Sequence, residues 1–332
     1  MNVIISHHPG AEHETKSKAE VLACLSPLVD SLMQEHLEKR RLWFPSDFLP
    51  ADEQMSDDDE AKAKQLRERA RGMSDAVRVS VTLNLLTEEG LPHFHRILAT
   101  HLGDESVWSK WNYMWTAEED RHGGILRDYA REARLFKFRQ VEMMQFAYQV
   151  SGFTPDWDKD PYKVFVYTSL QERATQVAHA NTGKHAGEYE PTLQGILTNI
   201  AADEARHYAF YRRVFKGLLE VDVNRALQSA LSILPSIEMP GLTIPHFKEM
   251  ADVVRRVGIY GPWDYKRIVE ELLEFWRVEV LEGLNEVGRI AQEKIMQIPA
   301  RLQKVAEYLD QRTTRKSFSF DFLYGRLIEM EG

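Results

Sequence analysis

At 332 residues, with 43% hydrophobic side chains and seven tryptophans, the chain is long enough to bury a sizeable core in one large domain or two. A net charge of −9 argues against non-specific nucleic-acid binding, and the single Cys24 excludes an internal disulfide and any cysteine-based zinc or iron–sulfur site. No run approaches 18 uninterrupted apolar residues, and the N-terminus has neither a signal-like apolar stretch nor the Arg-rich look of a transit peptide, so a cytoplasmic protein is expected.

Residues 1–16 are polar and aperiodic and are expected to form a flexible N-terminal arm, with 17–332 forming one helical domain. From Lys18 to Arg41 the apolar positions Val21, Leu22, Leu25, Leu28, Val29 and Leu32 recur at helical spacing, and Pro27 is expected to break or kink the helix. Leu42 to Pro50 is aromatic and twice interrupted by proline, which suits a packed loop. The acidic stretch Ser56–Glu60 leads into a charged, solvated helix ending near Arg71.

Four longer helices follow. The first runs from Ala76 to about Leu102, kinked at Pro92, which removes the hydrogen bond to the carbonyl of Glu88. The second runs from about Ser106 to Arg134. The third runs from Pro161 to about Gly187 and the fourth to about Leu219, Pro161 and Pro191 suiting helix starts. The rest, from Val221 onward, reads as amphipathic helices punctuated by Pro235, Pro240, Pro245, Pro262 and Pro299. No β-alternation, Gly-rich phosphate loop or Ser/His/Asp order stands out, so the fold class is all-α.

These helices carry one pattern twice. Glu88 precedes Glu118-Glu119-Asp120-Arg121-His122, and Glu172 precedes Asp203-Glu204-Ala205-Arg206-His207; the lone Glu leads the Glu of its Glu-x-x-His by 31 residues (119 − 88) and 32 residues (204 − 172). Residues three apart project from one helix face, so each Glu/His pair can grip one ion. A hairpin about 30 residues long brings the lone Glu level with the pair on the returning helix. Two such hairpins place four Glu and two His in one bundle core, as in di-iron carboxylate bundles. Four ionised carboxylates buried together are costly unless cations balance them. Spacing alone leaves open whether Glu88 or Glu89 is the ligand. Carboxylate and imidazole ligands with open positions suit iron that meets dioxygen, and manganese fits the same set. A metal-bound His usually gives its other N–H to a carboxylate, carbonyl or water, and Asp203 and Glu118 are the acids best placed to receive it.

The segments Thr87-Glu88-Glu89-x-Leu91-Pro92, Trp115-Thr116-Ala117-Glu118-Glu119-x-Arg121-His122-Gly123, Gln171-Glu172-Arg173-Ala174-Thr175 and Ala201-Ala202-Asp203-Glu204-x-Arg206-His207 resemble the soluble acyl-[acyl-carrier-protein] desaturases. So do Trp43-x-Pro45-x-Asp47-Phe48-Leu49-Pro50 and the aromatic tail around Phe318–Phe322. The resemblance implies a ferritin-like di-iron four-helix bundle with flanking helices. It implies that Glu88 and His122 serve one iron, Glu172 and His207 the other, and that Glu119 and Glu204 bridge both. His122, Asp203 and Trp43 would then form the electron route, and Thr175 would supply a hydroxyl near the oxygen site. Spacing alone favours a simpler role for Thr175, a hydrogen bond back to the preceding turn.

The reaction so implied inserts a cis double bond, at Δ9, into a saturated acyl chain, with dioxygen as co-substrate and ferredoxin supplying two electrons. The expected carrier is acyl carrier protein, with coenzyme A as runner-up, and a homodimer is implied. A ferritin-like amine N-oxygenase, a ribonucleotide reductase small subunit and an iron-storage bundle are the alternatives. Two basic groups, Arg212/Arg213/Lys216 and Arg301/Lys304/Arg312/Arg315/Lys316, are candidates to receive an acidic carrier. The resemblance places His101 where plant members of that family carry a tunnel-lining Leu, and Val164 where they carry Gly. Their bulk is expected to favour chains of 16 carbons or fewer over 18.

Overall fold

The structure is a computed structural model that describes residues 16–49, 57–103, 106–155, 157, 159–235 and 240–331. All but the last residue of the expected N-terminal arm lies outside these residues, as does Pro50 of the aromatic segment.

Helix α1 (Lys18–Lys39) opens on a capping box, in which Ser17 accepts from Glu20 N while the Glu20 carboxylate accepts from Ser17 N. It buries Val21, Leu25, Val29, Leu32 and Met33 and runs through Pro27 without a break, contrary to the sequence expectation. Both Pro27 and Ala23, whose carbonyl the proline leaves unpaired, face solvent, and the packed stripe outweighs the local cost of about 3 kcal/mol. Trp43 follows in a loop around a short 3-10 turn. Helix α2 (Asp57–Arg71) is mostly solvated but buries Leu66 and Ala70, and Arg67 and Arg69 tie it to Glu132 and Glu190.

The four central helices are α3 (Asp75–Glu88), α5 (Val107–Glu132), α7 (Pro161–Ala186) and α8 (Pro191–Val221). Side-chain caps start each one, from Ser74, Ser106, Asp160 and Glu190, and prolines occupy the first turns of α7 and α8. Helices α7 and α8 form an antiparallel hairpin, and α3 packs on both α5 and α7. The single kinked helix expected from 76 to 102 is instead two, because the chain leaves α3 directly after Glu88 and resumes as α4 (Leu91–Leu102). Pro92 lies in the first turn of α4, where a missing N–H costs nothing. Gly90 is required by close approach, since a Cβ there would lie 2.4 Å from the Tyr148 hydroxyl and 2.9 Å from the Thr87 carbonyl.

Helix α6 (Phe138–Ser151), which the sequence reading passed over, supplies that Tyr148. Beyond the bundle lie α9 (Val223–Ile233), α10 (Phe247–Arg256), α11 (Pro262–Trp276), α12 (Glu286–Met296) and α13 (Ile298–Gln311). Helix α10 covers α3, while α11 lies between α7 and α13. The tail departs from the all-helical expectation. Strands β1 (Lys316–Ser319) and β2 (Leu327–Met330) pair antiparallel, with Phe318 opposite Ile328. Phe318, Phe320, Phe322 and Leu323 anchor this hairpin in the same apolar cluster as Phe136 and Tyr129 of the α5 end. No described helix is long and apolar enough to cross a membrane.

Candidate metal centre and active-site cavity

The two lone glutamates and the two Glu-x-x-His pairs meet at the middle of the four central helices. Glu88 ends α3, Glu119 and His122 share a face of α5, Glu172 lies on α7, and Glu204 and His207 share a face of α8. All six are buried. Their ligand-type atoms fall into two overlapping groups, Glu88/Glu119/His122/Glu204 and Glu119/Glu172/Glu204/His207, with atoms in each within 4.8 Å of one another. Glu119 and Glu204 belong to both groups, which is the sharing that two bridging carboxylates require.

Both histidines turn Nδ1 toward the centre. His122 Nδ1 lies 3.1 Å from Glu119 Oε2, 3.4 Å from Glu204 Oε1 and 3.8 Å from Glu88 Oε2. His207 Nδ1 lies 2.8 Å from Glu119 Oε1 and 3.6 Å from Glu172 Oε2. Despite that crowding, Glu119 Oε1, Glu172 Oε1, Glu204 Oε2 and His207 Nδ1 are buried and make no hydrogen bond. Orphaned acceptors converging on common points are what cations would satisfy, so the donor set fits two divalent metals.

Electrostatics agrees. Burial, with the Glu204 carboxylate beside it, pushes Glu172 well above the usual carboxylate range, and burial likewise raises Glu88. Against the desolvation that lowers it, the Glu119 and Glu204 carboxylates hold the His122 imidazole up to about 10, and His207 is raised well above its usual value. Glu119 and Glu204 are lowered because those imidazoles face them. The shifts favour the protonated forms of these acids and imidazoles, which offset the same buried charge that two dications could offset instead.

Glu89 is turned away. Its carboxylate pairs with Arg127 of α5, with Arg127 Nε 2.7 Å from Oε1, and accepts from Gln145 of α6. Geometry thus decides between the two acids that spacing left open.

Outside the centre, each histidine gives its other nitrogen to the acid that precedes the opposite hairpin's shared glutamate. His122 Nε2 lies 3.2 Å from Asp203 Oδ2, and His207 Nε2 lies 2.9 Å from Glu118 Oε2. Asp203 also accepts from Trp43 Nε1 at 2.9 Å, and the Trp43 ring stacks on His122 with 3° between planes and 6.1 Å between centroids. Arg121 lies over the Trp43 ring and donates to its carbonyl, and Arg206 pairs with Asp203. Trp43, Asp203 and His122 are therefore in line from the protein's edge, where Leu42 and Phe44 are exposed, to the centre.

Two residues at the site escaped the sequence reading. His36 of α1 lies 3.0 Å from Glu118 Oε2, and Arg40 reaches the same carboxylate. Its signal was available, because His36 continues the buried stripe of α1. His179 of α7 lies 2.6 Å from Glu88 Oε1; it follows Glu172 by two helical turns and so shares its face.

A cavity of about 690 Å³ opens beside the centre, lined by Glu88, Glu119, Glu172 and Glu204 and otherwise mainly by apolar groups such as Leu83, Leu91, Phe94, Trp115 and Ala178. It extends past Tyr260 and Pro262 to Arg255, Leu302 and the half-exposed Val305 of α10, α11 and α13. Thr175 lines it and also bonds back to the carbonyls of Gln171 and Glu172 at 3.1 Å, so its two readings hold together. His101 and Val164 do not line it, contrary to expectation. Phe94, Phe153, Tyr167 and Trp157 pack into an aromatic cluster, and His101 touches only its far side, through Trp157.

A model of the fatty acid desaturase family matches residues 17–324. The chain is 35% identical over 338 residues to stearoyl-[acyl-carrier-protein] 9-desaturase 3, chloroplastic, of Arabidopsis thaliana, covering 96% of this chain and 81% of that protein. It is 32% identical to the chloroplastic stearoyl-[acyl-carrier-protein] 9-desaturase of Gossypium hirsutum, over 94% of this chain and 83% of that one. Among solved structures, the X-ray structure of the acyl-ACP desaturase candidate DesA2 from Mycobacterium tuberculosis H37Rv superposes with a TM-score of 0.56 at 20% identity, covering 78% of this chain and 95% of that chain, a likeness of fold. The chain belongs to the fatty acid desaturase family, among its acyl-[acyl-carrier-protein] desaturases.

Proposed function

We propose that this desaturase holds two iron ions between Glu88, Glu119, His122, Glu172, Glu204 and His207 and desaturates a carrier-bound saturated acyl chain lying in the adjoining cavity. The observation that carries this reading is the pair of ligand groups sharing Glu119 and Glu204 on the wall of a mainly apolar cavity. When bound, the irons would supply the redox chemistry that reduces dioxygen, and the balance is one dioxygen, two electrons and two protons consumed for one cis alkene and two waters. A saturated chain offers no polar group to bind, so the cavity's mainly apolar walls would fix its register through shape. The double bond would fall where the chain passes the four carboxylates; the relatives named 9-desaturases support the Δ9 position.

Trp43, Asp203 and His122 form the continuous contact that suits inward electron transfer from a ferredoxin. The Thr175 hydroxyl, anchored to its own helix, is one of the polar groups on the cavity wall and the one proposed to carry a proton. The acyl chain would enter from α10 and α13. A second hollow there, bounded by Lys248, Arg255, Arg256, Arg312 and Lys316, shares Asp252 and Arg255 with the cavity and suits an acidic carrier protein. Arg212 and Lys216 lie over Phe275 and Arg213 pairs with Glu35, much as Arg255, Arg256 and Lys316 pair with Asp252, so what favours the hollow is that it adjoins the cavity. A cytosolic, reducing location suits the single free thiol, Cys24. A homodimer remains part of the proposal through the family resemblance.

The test is product analysis. Iron-loaded protein given stearoyl-acyl carrier protein, reduced ferredoxin and dioxygen should yield a cis monoene by gas chromatography. Iron uptake without any alkene, on acyl carrier protein or coenzyme A substrates, would point to an oxygenase of another class or to iron storage.

A further inference from the structure

The two halves of the centre are not equivalent. Glu172 leaves one carboxylate oxygen, Oε1, buried without a hydrogen bond. Glu88 has its Oε1 held by His179 Nε2 at 2.6 Å, while Oε2 faces His122. Nothing among the described residues holds Glu172 in the same way.

The hydrogen bonds behind His179 fix which of its nitrogens carries the proton. The Thr182 hydroxyl donates to the Ala178 carbonyl at 2.7 Å, which uses its only proton. Thr182 Oγ1 must then accept from Ser80 at 2.8 Å and from the Asn84 amide at 3.3 Å. That orients Asn84 with its NH₂ toward the network, and its second N–H points at His179 Nδ1, also 3.3 Å away. Nδ1 therefore accepts, Nε2 carries the hydrogen, and the hydrogen goes to Glu88. Ser80, Asn84, His179 and Thr182 are all buried, and they come from the facing surfaces of α3 and α7. A buried polar ladder of this kind, lying along the cavity wall, favours one arrangement of its members.

We propose that His179 is a positioning residue for the metal centre: with Asn84 fixing its tautomer, it clamps Glu88 and makes the Glu88/His122 metal position rigid, leaving the Glu172/His207 position with the adaptable ligand. The proposal rests on the two-metal reading above. The chemistry it predicts is a difference in affinity between the two positions, and the partner that supports a metal ligand commonly contributes about 10- to 100-fold to affinity.

The test titrates apo-protein with Co(II), following the visible bands that report coordination, and locates bound Mn(II) by anomalous scattering in crystals. Wild type should take up two metals per chain; failure to do so would overturn the metal-centre reading itself and the proposal with it. His179→Leu should keep one metal at wild-type affinity and weaken the other about 10- to 100-fold, with occupancy lost at Glu88/His122. His179→Gln, whose amide N–H can reach the same carboxylate, should restore it. Asn84→Leu, which leaves His179 in place but frees its tautomer, should weaken the same position by a smaller factor and serves if His179→Leu does not fold. Two metals bound by His179→Leu as tightly as by wild type would overturn the proposal. So would equal loss at both positions, or failure of glutamine to restore the weakened one.

Discussion

At the scale of single residues, the protonation pattern around Glu119 and Glu204 makes the strongest statement. His122 is held up to about 10 by the carboxylates facing it, above an unfolded value near 6.5. A raised imidazole contributes stability that is complete below about pH 6.5 and is lost as pH climbs through the folded value. Apo-protein should therefore melt at progressively lower temperature from pH 6.5 to about 10, with a flatter profile once metal replaces the protons. Metal uptake should correspondingly release protons, because the ligands whose protonated forms the empty site favours, His122 first, must give them up. A dye-based proton count on adding Co(II) checks this, and release of none would remove the charge-balance argument. His122→Ala or His207→Ala should lose metal and activity together, measured as iron per chain; full iron content in the double variant would refute the ligand assignment.

At the scale of elements, the doubled Glu-x-x-His pattern was legible because helix geometry converts spacing directly into a shared face. The starts of α7 and α8 were legible from Pro161 and Pro191 in their first turns. What was not legible depended on distant partners. Pro27 is tolerated because α1 is packed along its buried stripe and the unpaired carbonyl meets water. The break after Glu88 brings Gly90 against the hydroxyl of Tyr148 of α6, 58 residues on (148 − 90), a contact about which local sequence is silent. Gly90→Ala should cost about 1–3 kcal/mol by overpacking, read as a fall in thermal midpoint, and Tyr148→Phe should recover part of it by removing the crowding hydroxyl. An unchanged midpoint in Gly90→Ala would mean the break is not sterically fixed. The terminal hairpin escaped notice because its strands are four residues each, too short for alternation to stand out. His36 and His179 escaped because single histidines on apolar faces carry no motif, although their helical spacing was in plain view.

At the scale of the whole molecule, the cavity joins the metal centre to the surface at α10 and α13, and this decides how chain length and carrier recognition are divided. On the proposed function, chain length would be set by the aromatic wall around Phe94. Val164→Gly should leave the palmitoyl-to-stearoyl ratio within about twofold of wild type, whereas Phe94→Ala should shift it toward longer chains by about tenfold, since each methylene accommodated is worth about 1–3 kcal/mol. A large shift in Val164→Gly with none in Phe94→Ala would restore the tunnel end to the position that family resemblance implied. On the proposed function, carrier recognition would fall to the basic hollow. Arg312→Glu with Lys316→Glu should raise KM for the acyl carrier about tenfold or more at low salt with little change in kcat, and high salt should erase most of the difference. The measurement that tests the central claim most directly is the iron dependence of product formation from stearoyl-acyl carrier protein with reduced ferredoxin and dioxygen. A cis monoene that appears only in iron-loaded wild type and is absent from Glu119→Ala and Glu204→Ala is the result predicted here, and a fully iron-loaded protein that consumes dioxygen without forming any alkene would contradict it.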